Sequence, residues 1–301
     1  MSSILVTGGS GFIGRHFCRS AVDRGMSVTV LTRNKTQAVR HLPASVTSIE
    51  RLSELDGLAA PQTVLNLAGE GLADGRWTQR RKQKFYDSRI GTTERLVAYF
   101  SQRQDRPEQV ISGSAIGYYG SGNAPVDESG APVDGFSHQL CDTWEQSAQQ
   151  FAALGSRVCY LRTGIVLGDQ GALARMLPAF KLGLGGPMGS GEQWMSWIHI
   201  DDMIAAIHHC IENRDITGPV NATAPNPVTN ADFSATLAAV LKRPGFLRMP
   251  AVVVKLLFGE MGDELLLHGQ NVVPAKLLAS GFTFTQPELH SALAALLSNP
   301  T

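Results

Sequence analysis

The chain opens on a short apolar run, Ile4 to Thr7, of strand length. A glycine-rich turn follows, and from Phe12 the apolar positions (Phe12, Ile13, Phe17, Ala21, Val22) fall at helical spacing until Arg24-Gly25 ends the element. Val28 to Leu31 is a second apolar run and closes a β-α-β unit. The pattern then loosens: residues 35–60 predict a weak helix, a short strand near Val46–Ile49 and a polar stretch. Val64–Gly69 predicts a buried strand running into a glycine turn, and 76–100 a single long helix. Strands at Gln109–Ser114 and Arg157–Ile165 bracket a helix that starts near Phe136. Residues 183–191 hold five glycines and predict a loop, either surface or a mobile lip over a ligand. Trp197–Ile200 reads as a strand, with Asp201 as the cap of a helix over Asp202–Glu212. Val252–Phe258 is strongly apolar and reads as core, with a dimer face or an apolar groove as the alternatives. Buried strands alternating with helices define an α/β chain with a parallel sheet.

The first turn carries the candidate chemistry. Glycines stand at 8, 11 and 14, between a strand and a helix, which is the context a dinucleotide-binding fingerprint requires. Gly8 permits the tight turn, Gly11 lets backbone approach a pyrophosphate, and Gly14 lets the helix sit close on the sheet. The helix opened by Phe12 and Ile13 offers free N–H groups to the anion. The end of the second strand discriminates between nicotinamide cofactors. It carries Thr32, Arg33, Asn34 and Lys35, with no acid before Glu50 to hold a ribose 2′-hydroxyl. Arg33 is placed to take a 2′-phosphate with Thr32 or Asn34 assisting, so NADP(H) is expected over NAD. Leu67, Ala68 and Gly69, at the carboxyl end of their strand, are candidates to touch adenosine or ribose. Gly164 and Ile165 should lie by the nicotinamide. Arg89 sits deeper in the apolar register of its helix than the other basic residues there and is a candidate for a cofactor phosphate.

Composition narrows the classes. Apolar residues make up 43% of 301 and charged residues 17%, as in a water-soluble globular protein. Lys+Arg and Asp+Glu are both 26, which argues against nucleic acid or an anionic membrane as a partner held by bulk charge. No apolar run is long enough to span a bilayer, and Met1 leads straight into the first strand without a signal peptide, so a cytoplasmic protein is expected. The four cysteines, Cys18, Cys141, Cys159 and Cys210, are scattered and are expected as reduced thiols. No metal site is expected, because His199, Asp201 and Asp202 straddle a strand–helix junction without a third-ligand pattern.

Several ordered motifs carry a resemblance: Thr7-Gly-Gly-Ser-Gly-Phe-Ile-Gly14, Asn66-Leu-Ala-Gly69, Ser112-Gly-Ser-Ala115 with Tyr119-Gly120, Leu161–Gly168, and Trp197-Ile-His-Ile-Asp-Asp202. The chain resembles the epimerase branch of the extended short-chain dehydrogenases/reductases. Residues 226–301, with Leu267-His-Gly-Gln270 and Gly281-Phe282, resemble the extra C-terminal domain of one little-characterised subgroup. The resemblance implies a doubly wound Rossmann domain over 1–165, joined by a return segment 195–224. A smaller substrate lobe would take 166–194 and 225–301.

The resemblance also implies a Ser, a Tyr and a Lys as catalytic residues, and here the chain departs from it. Ser114 matches the family serine. Counting back from Trp144-Glu145 places Ser137 where the tyrosine should stand and Cys141 where the lysine should stand. Tyr118 and His138 are the remaining candidates to move a proton, each with a plainer reading: aromatic packing for Tyr118, a helix cap or surface position for His138. Arg162 is either a buried ion-pair partner or an anion ligand, and Gln193, Trp194 and Trp197 form either a ligand wall or core. The expectation is an NADP(H)-dependent oxidoreductase or epimerase-like enzyme acting on a small polar metabolite. The competing reading is an NADPH-binding regulatory or partner-binding protein with little turnover. A homodimer is left open.

Overall fold

The computed structural model describes residues 2–298. Met1, and residues 299–301 at the end of the expected substrate lobe, lie outside the described residues. The apolar runs fold as expected into strands β1 (Ser3–Thr7), β2 (Ser27–Leu31), β3 (Thr47–Ile49), β4 (Thr63–Asn66) and β5 (Gln109–Ala115). After the short β6 (Gly122–Val126) come β7 (Arg157–Thr163), β8 (Ile165–Leu167), β9 (Trp194–Met195), β10 (Trp197–His199) and β11 (Gly218–Ala222). Seven of these form one sheet in the order β11-β7-β5-β4-β1-β2-β3, parallel throughout. The order reverses between β1 and β4, so their carboxyl ends flank the crevice where a doubly wound sheet takes its ligand.

Helices cover both faces. Helices α1 (Phe12–Asp23) and α6 (Ile200–Glu212) pack on one, over a core that includes Phe17, Ile111, Leu161 and Ile207. The short α2 (Lys35–Ala38) follows β2. The long α3 (Gln79–Ser101) and α4 (Phe136–Gln149) cover the other face, where Leu96, Phe100 and Phe151 are fully buried. A second core joins α5 (Gly171–Lys181) and α7 (Asn230–Leu241) to the C-terminal helix through Leu173, Phe233, Leu237 and Leu293. The expected strand Arg157–Ile165 breaks at Gly164. β7 stays in the main sheet, while β8 leaves it to pair with β10.

Two local expectations are corrected. Asp201 does not cap α6: the His199 ring does, its Nδ1 accepting the Asp201 N–H at 3.1 Å. Asp202 is buried and holds the C-terminal segment instead, accepting from the N–H groups of Thr285 and Gln286 and from the Thr285 hydroxyl. Helix α8 (Ala251–Phe258) is not core either. Only Val254 is fully buried, while Val252 and Leu256 are 77% and 71% exposed.

Candidate cofactor cradle and active site

The turn after β1 is built around two glycines. Gly8 has φ +69°, and a Cβ there would stand 2.6 Å from the Leu67 carbonyl oxygen at the end of β4. A Cβ on Gly14 would stand 2.2 Å from the Gly8 carbonyl oxygen, so only glycine lets α1 close on the turn. Gly11 precedes α1 in extended backbone and no side chain caps the helix, leaving its first N–H groups for an outside acceptor. Phe12 turns away from this opening and packs against Gly168 and Gly171. Ile13 packs on the core, so both residues offer the cradle backbone only.

At the end of β2 the four polar residues divide. Asn34 caps α2, its side chain accepting the Gln37 N–H at 2.9 Å, and its own N–H donates to Thr32 Oγ1 at 3.3 Å. Arg33 between them is exposed and joins no ion pair among the described residues. Lys35 is engaged by Glu54 at 2.5 Å. Arg33 is therefore the unpaired guanidinium at this strand end among the described residues.

The β4 end is anchored from beneath. Asn66 is buried, accepting from the Thr7 hydroxyl at 2.6 Å and donating to Thr93 at 2.8 Å, and the Ala68 N–H donates to Thr7 Oγ1 at 3.1 Å. This fixes Leu67, Ala68 and Gly69 beside the glycine turn. Arg89 crosses behind them. Its guanidinium carbon lies 3.0 Å from where a Gly69 Cβ would be and 5.2 Å from the centre of the Trp144 ring, and Nη2 donates to the Glu70 carbonyl at 3.0 Å. Burial pulls this guanidinium down to about 10, with the Cys141 and Glu70 sites acting in the opposite sense. Arg89 thus faces the β4 turn from the α3 side with no carboxylate partner among the described residues. Gly164 lies where a Cβ would be 2.5 Å from the Ser196 carbonyl oxygen, and the Ile165 N–H donates to that oxygen at 2.8 Å. Both contacts join β8 to β10.

At the end of β5 a buried polar network replaces the expected triad. Glu145 accepts from the Ser114 hydroxyl at 2.6 Å and from Arg162 Nε and Nη2 at 2.8 Å each. Arg162 Nη1 donates to the Tyr119 hydroxyl at 3.0 Å, which donates to Asn221 at 2.7 Å. Arg162 is thus an ion-pair partner. Burial opposes its charge, but the bonds to Glu145 outweigh this and hold its pKa above the ordinary value. Its guanidinium carbon lies 3.4 Å from the centre of the Tyr118 ring, which it supports from below.

Tyr118 and His138 are brought together. Their ring centres are 5.0 Å apart, and His138 Nδ1 meets the Tyr118 carbonyl at 2.9 Å. A carbonyl only accepts, so Nδ1 carries the proton and a neutral His138 keeps its lone pair on Nε2. Cys141 is buried, and desolvation pushes its thiol up to about 11, so it supplies no charge in place of a lysine. Ser137 packs against the turn after β5, its Cβ 3.0 Å from where a Gly117 Cβ would be. Its N–H and hydroxyl both donate to Glu264 Oε2, at 3.1 and 2.5 Å.

Sequence reasoning misses Glu264 and the support that Arg162 gives Tyr118. Glu145 carries a signal, as the helix glutamate that sets the register. Glu264 carries none, because it is 127 residues from Ser137 in the chain. Of the expected ligand wall, Trp197 is core, fully buried with Nε1 on the Asn226 carbonyl. Gln193 instead ties the glycine-rich lip to the C-terminal segment, donating to the carbonyls of Met188 and Leu266.

A parallel doubly wound sheet, a glycine turn that excludes Cβ atoms and an uncapped helix start define a Rossmann-type nucleotide-binding protein. The chain matches the NAD dependent epimerase/dehydratase family over residues 4–222 and belongs to it. Residues 249–296 match a domain of unknown function, DUF1731. Among relatives, the epimerase family protein YfhF of Bacillus subtilis is 35% identical, covering 99% of this chain and 98% of that protein. The human epimerase family protein SDR39U1 is likewise 35% identical, covering 98% of this chain and 99% of that one. The crystal structure of human SDR39U1 (isoform 2) with NADPH superposes with a TM-score of 0.88 at 32% identity, covering 99% of this chain and all of that one.

Proposed function

We propose that this protein is an NADP(H)-dependent oxidoreductase or epimerase-like enzyme of the cytoplasm, acting on a small polar metabolite without the Tyr and Lys that the family resemblance implies. The observation that carries the cofactor reading is the cradle: Gly8 and Gly14 leave no room for a Cβ, and the unengaged Arg33 stands at the end of β2. A solved relative with NADPH bound supports it. The backbone of Gly11, Phe12 and Ile13 would hold the pyrophosphate, and Thr32 and Arg33 the 2′-phosphate. Leu67, Ala68 and Gly69 would line the adenosine side, with Arg89 behind them and Gly164 and Ile165 on the nicotinamide side. The cofactor, when bound, supplies or accepts a hydride.

The chain's own residues hold the substrate oxygen and its proton. Tyr118 presents a phenol above Arg162, and His138 an Nε2 lone pair beside it. Ser114 presents a hydroxyl oxygen whose proton is committed to Glu145, so it orients a substrate as an acceptor. Residues 1–165 with 195–224 serve as the nucleotide-binding unit in this reading, and 166–194 with 225–301 as the substrate lobe. The test is a fluorescence titration with NADPH and NADH, followed by screening carbonyl compounds and alcohols for oxidation or reduction of bound cofactor. Tight NADPH, weak NADH and turnover of at least one compound are expected. Failure to bind either nucleotide would sink the reading, and tight binding without turnover would favour a binding protein.

A further inference from the structure

The segment 263–267, a single wide helical turn from the C-terminal region, is in contact with three parts of the site. Glu264 accepts both donors of Ser137 at the start of α4. Leu266 gives its carbonyl to Gln193, and Leu267 touches Gly189 of the glycine-rich lip. Leu265 and Leu266 pack on the cluster holding Phe136, Phe85 and Trp144. The turn is pinned at its base, where Asp263 pairs with Lys255 at 3.0 Å and its carbonyl meets the His268 ring at 2.8 Å.

By the register of α4, Ser137 stands where the family resemblance implies a proton-donating tyrosine. Its hydroxyl proton is given to Glu264 Oε2, which leaves the Ser137 oxygen with lone pairs and no further donor. Glu264 is half-buried, and its Oε1 takes no hydrogen bond among the described residues. Helix capping alone explains the bond from the Ser137 N–H. It does not explain why the hydroxyl of the same residue is drawn to the same oxygen, on the side of the helix that faces Gly117.

We propose that Ser137 and Glu264 form a proton relay, with the C-terminal region supplying the carboxylate that the missing tyrosine and lysine make necessary. The proposal rests on the reading that the crevice binds a nicotinamide cofactor. In the oxidising direction the substrate carbinol loses its C–H hydrogen, with the electron pair, to the oxidised nicotinamide. Its hydroxyl proton goes to Ser137 Oγ, and the proton Ser137 already directs at Glu264 passes to that carboxylate. Carbonyl reduction reverses each transfer, with the carboxylic acid as the proton source. Glu264 is therefore a positioning and proton-holding residue that acts through Ser137, and of this pair Ser137 is the member that touches substrate, beside Ser114 and Tyr118.

The relay has a consequence that needs no substrate. In this reading the carboxylate would lie on the nicotinamide side of the crevice and would sense the positive charge carried by NADP+ and absent from NADPH, which links its ionisation to the ratio of the two affinities. Both nucleotides carry the same titrating 2′-phosphate, which cancels in the ratio. The other titratable groups on the elements packed around this turn are His138 and Tyr118 on the β5–α4 side, Asp263 and His268 on the turn and just after it, Lys255 on α8, and the Lys82–Glu260 pair beside Phe136.

The experiment measures dissociation constants of NADP+ and NADPH from about pH 4.5 to 8, at fixed salt, spanning the ordinary ranges of Glu and His. Wild type, Glu264→Gln, Ser137→Ala and His138→Gln are compared. In wild type, NADP+ should gain on NADPH by roughly tenfold as Glu264 ionises. Glu264→Gln should flatten the ratio, and His138→Gln should leave it pH-dependent. Ser137→Ala should move the midpoint upward, because it removes a hydrogen bond to the ionised form. That change in midpoint carries the test should Glu264→Gln not fold. A flat ratio in wild type with both nucleotides tightly bound, or a wild-type pH dependence surviving in Glu264→Gln, overturns the relay and leaves Glu264 as a cap. Abolition of the dependence by His138→Gln overturns it in favour of the histidine. Loss of binding for both nucleotides overturns the cofactor reading and the relay together.

Discussion

Replacing Glu145 by glutamine tests the network under Tyr118 most directly. The carboxylate accepts three hydrogen bonds, from Ser114 at 2.6 Å and from two nitrogens of Arg162 at 2.8 Å each. The side chains of Arg162 and Glu145 are only 4% and 9% exposed, so water cannot take over when one partner changes. A glutamine oxygen replaces one acceptor, while its NH2 group turns donors toward the guanidinium or the serine. The buried Arg162 charge is then left without a counter-charge, at a cost of about 3–5 kcal/mol. For a chain of this size that is a fall in Tm of roughly 6–10 °C. Urea unfolding of wild type, Glu145→Gln, Arg162→Met and the double variant Glu145→Leu/Arg162→Met measures it. The double variant should recover most of the loss, because no buried charge remains. A Glu145→Gln protein within about 1 kcal/mol of wild type would show that the pair is solvated, and would remove the reason for treating it as the fixed floor of the site.

Three further outcomes follow from single residues. Arg33→Asp should weaken NADPH by roughly 10- to 100-fold, the worth of a lost charge-assisted contact, and NADH far less. Equal weakening of both removes the 2′-phosphate from Arg33. Gly14→Ala puts a methyl 2.2 Å from the Gly8 carbonyl oxygen, so the turn must open. It should lose measurable NADPH binding and about 2 kcal/mol of stability or more, and a variant that binds normally would mean the cofactor does not lie on this turn. Burial, with a smaller effect from Arg24, holds His208 down at about 4 against an ordinary 6.5. Between those values the unfolded chain binds more protons than the folded one. The stability that neutral His208 allows is full above about 6.5 and is lost as the pH falls toward 4. His208→Gln should flatten denaturation midpoints across that window, removing about 2–3 kcal/mol of the acid loss. An unchanged slope assigns that loss to other groups.

What the sequence made legible was local. β1, the glycine turn and α1 are contiguous, so periodicity and glycine spacing alone located that turn, and Arg33 fell where a strand end must. The buried runs at β4, β5 and β7 were equally plain, because an interior parallel strand is apolar on both faces. Illegible features depended on partners distant in the chain or on equal local alternatives. Asp201 and His199 could each have capped α6. The ring won because Asp201 sits one position inside the helix and 76% of its side chain stays in water. Val252–Phe258 has the composition of core, but only its Val254 side reaches the interior, and no pattern in seven residues distinguishes a helix packed on one side from one packed all round.

The catalytic departure illustrates the same division. That Ser137 and Cys141 replace the family's tyrosine and lysine was readable from the register of one helix. What surrounds them was not, because each neighbour arrives from a different part of the chain: Arg89 from α3, Arg162 from β7, Glu264 from beyond α8. Their charges do not substitute one for one. Arg162 is already matched by Glu145 and therefore braces Tyr118 without offering a free cation. Arg89 is unmatched but directed at the β4 turn, and Cys141 is held neutral by burial. Of Arg89, Arg162 and Glu264, it is Glu264 that hydrogen-bonds a residue of the missing dyad. In the proposed relay the proton therefore crosses the contact between α4 and the C-terminal region.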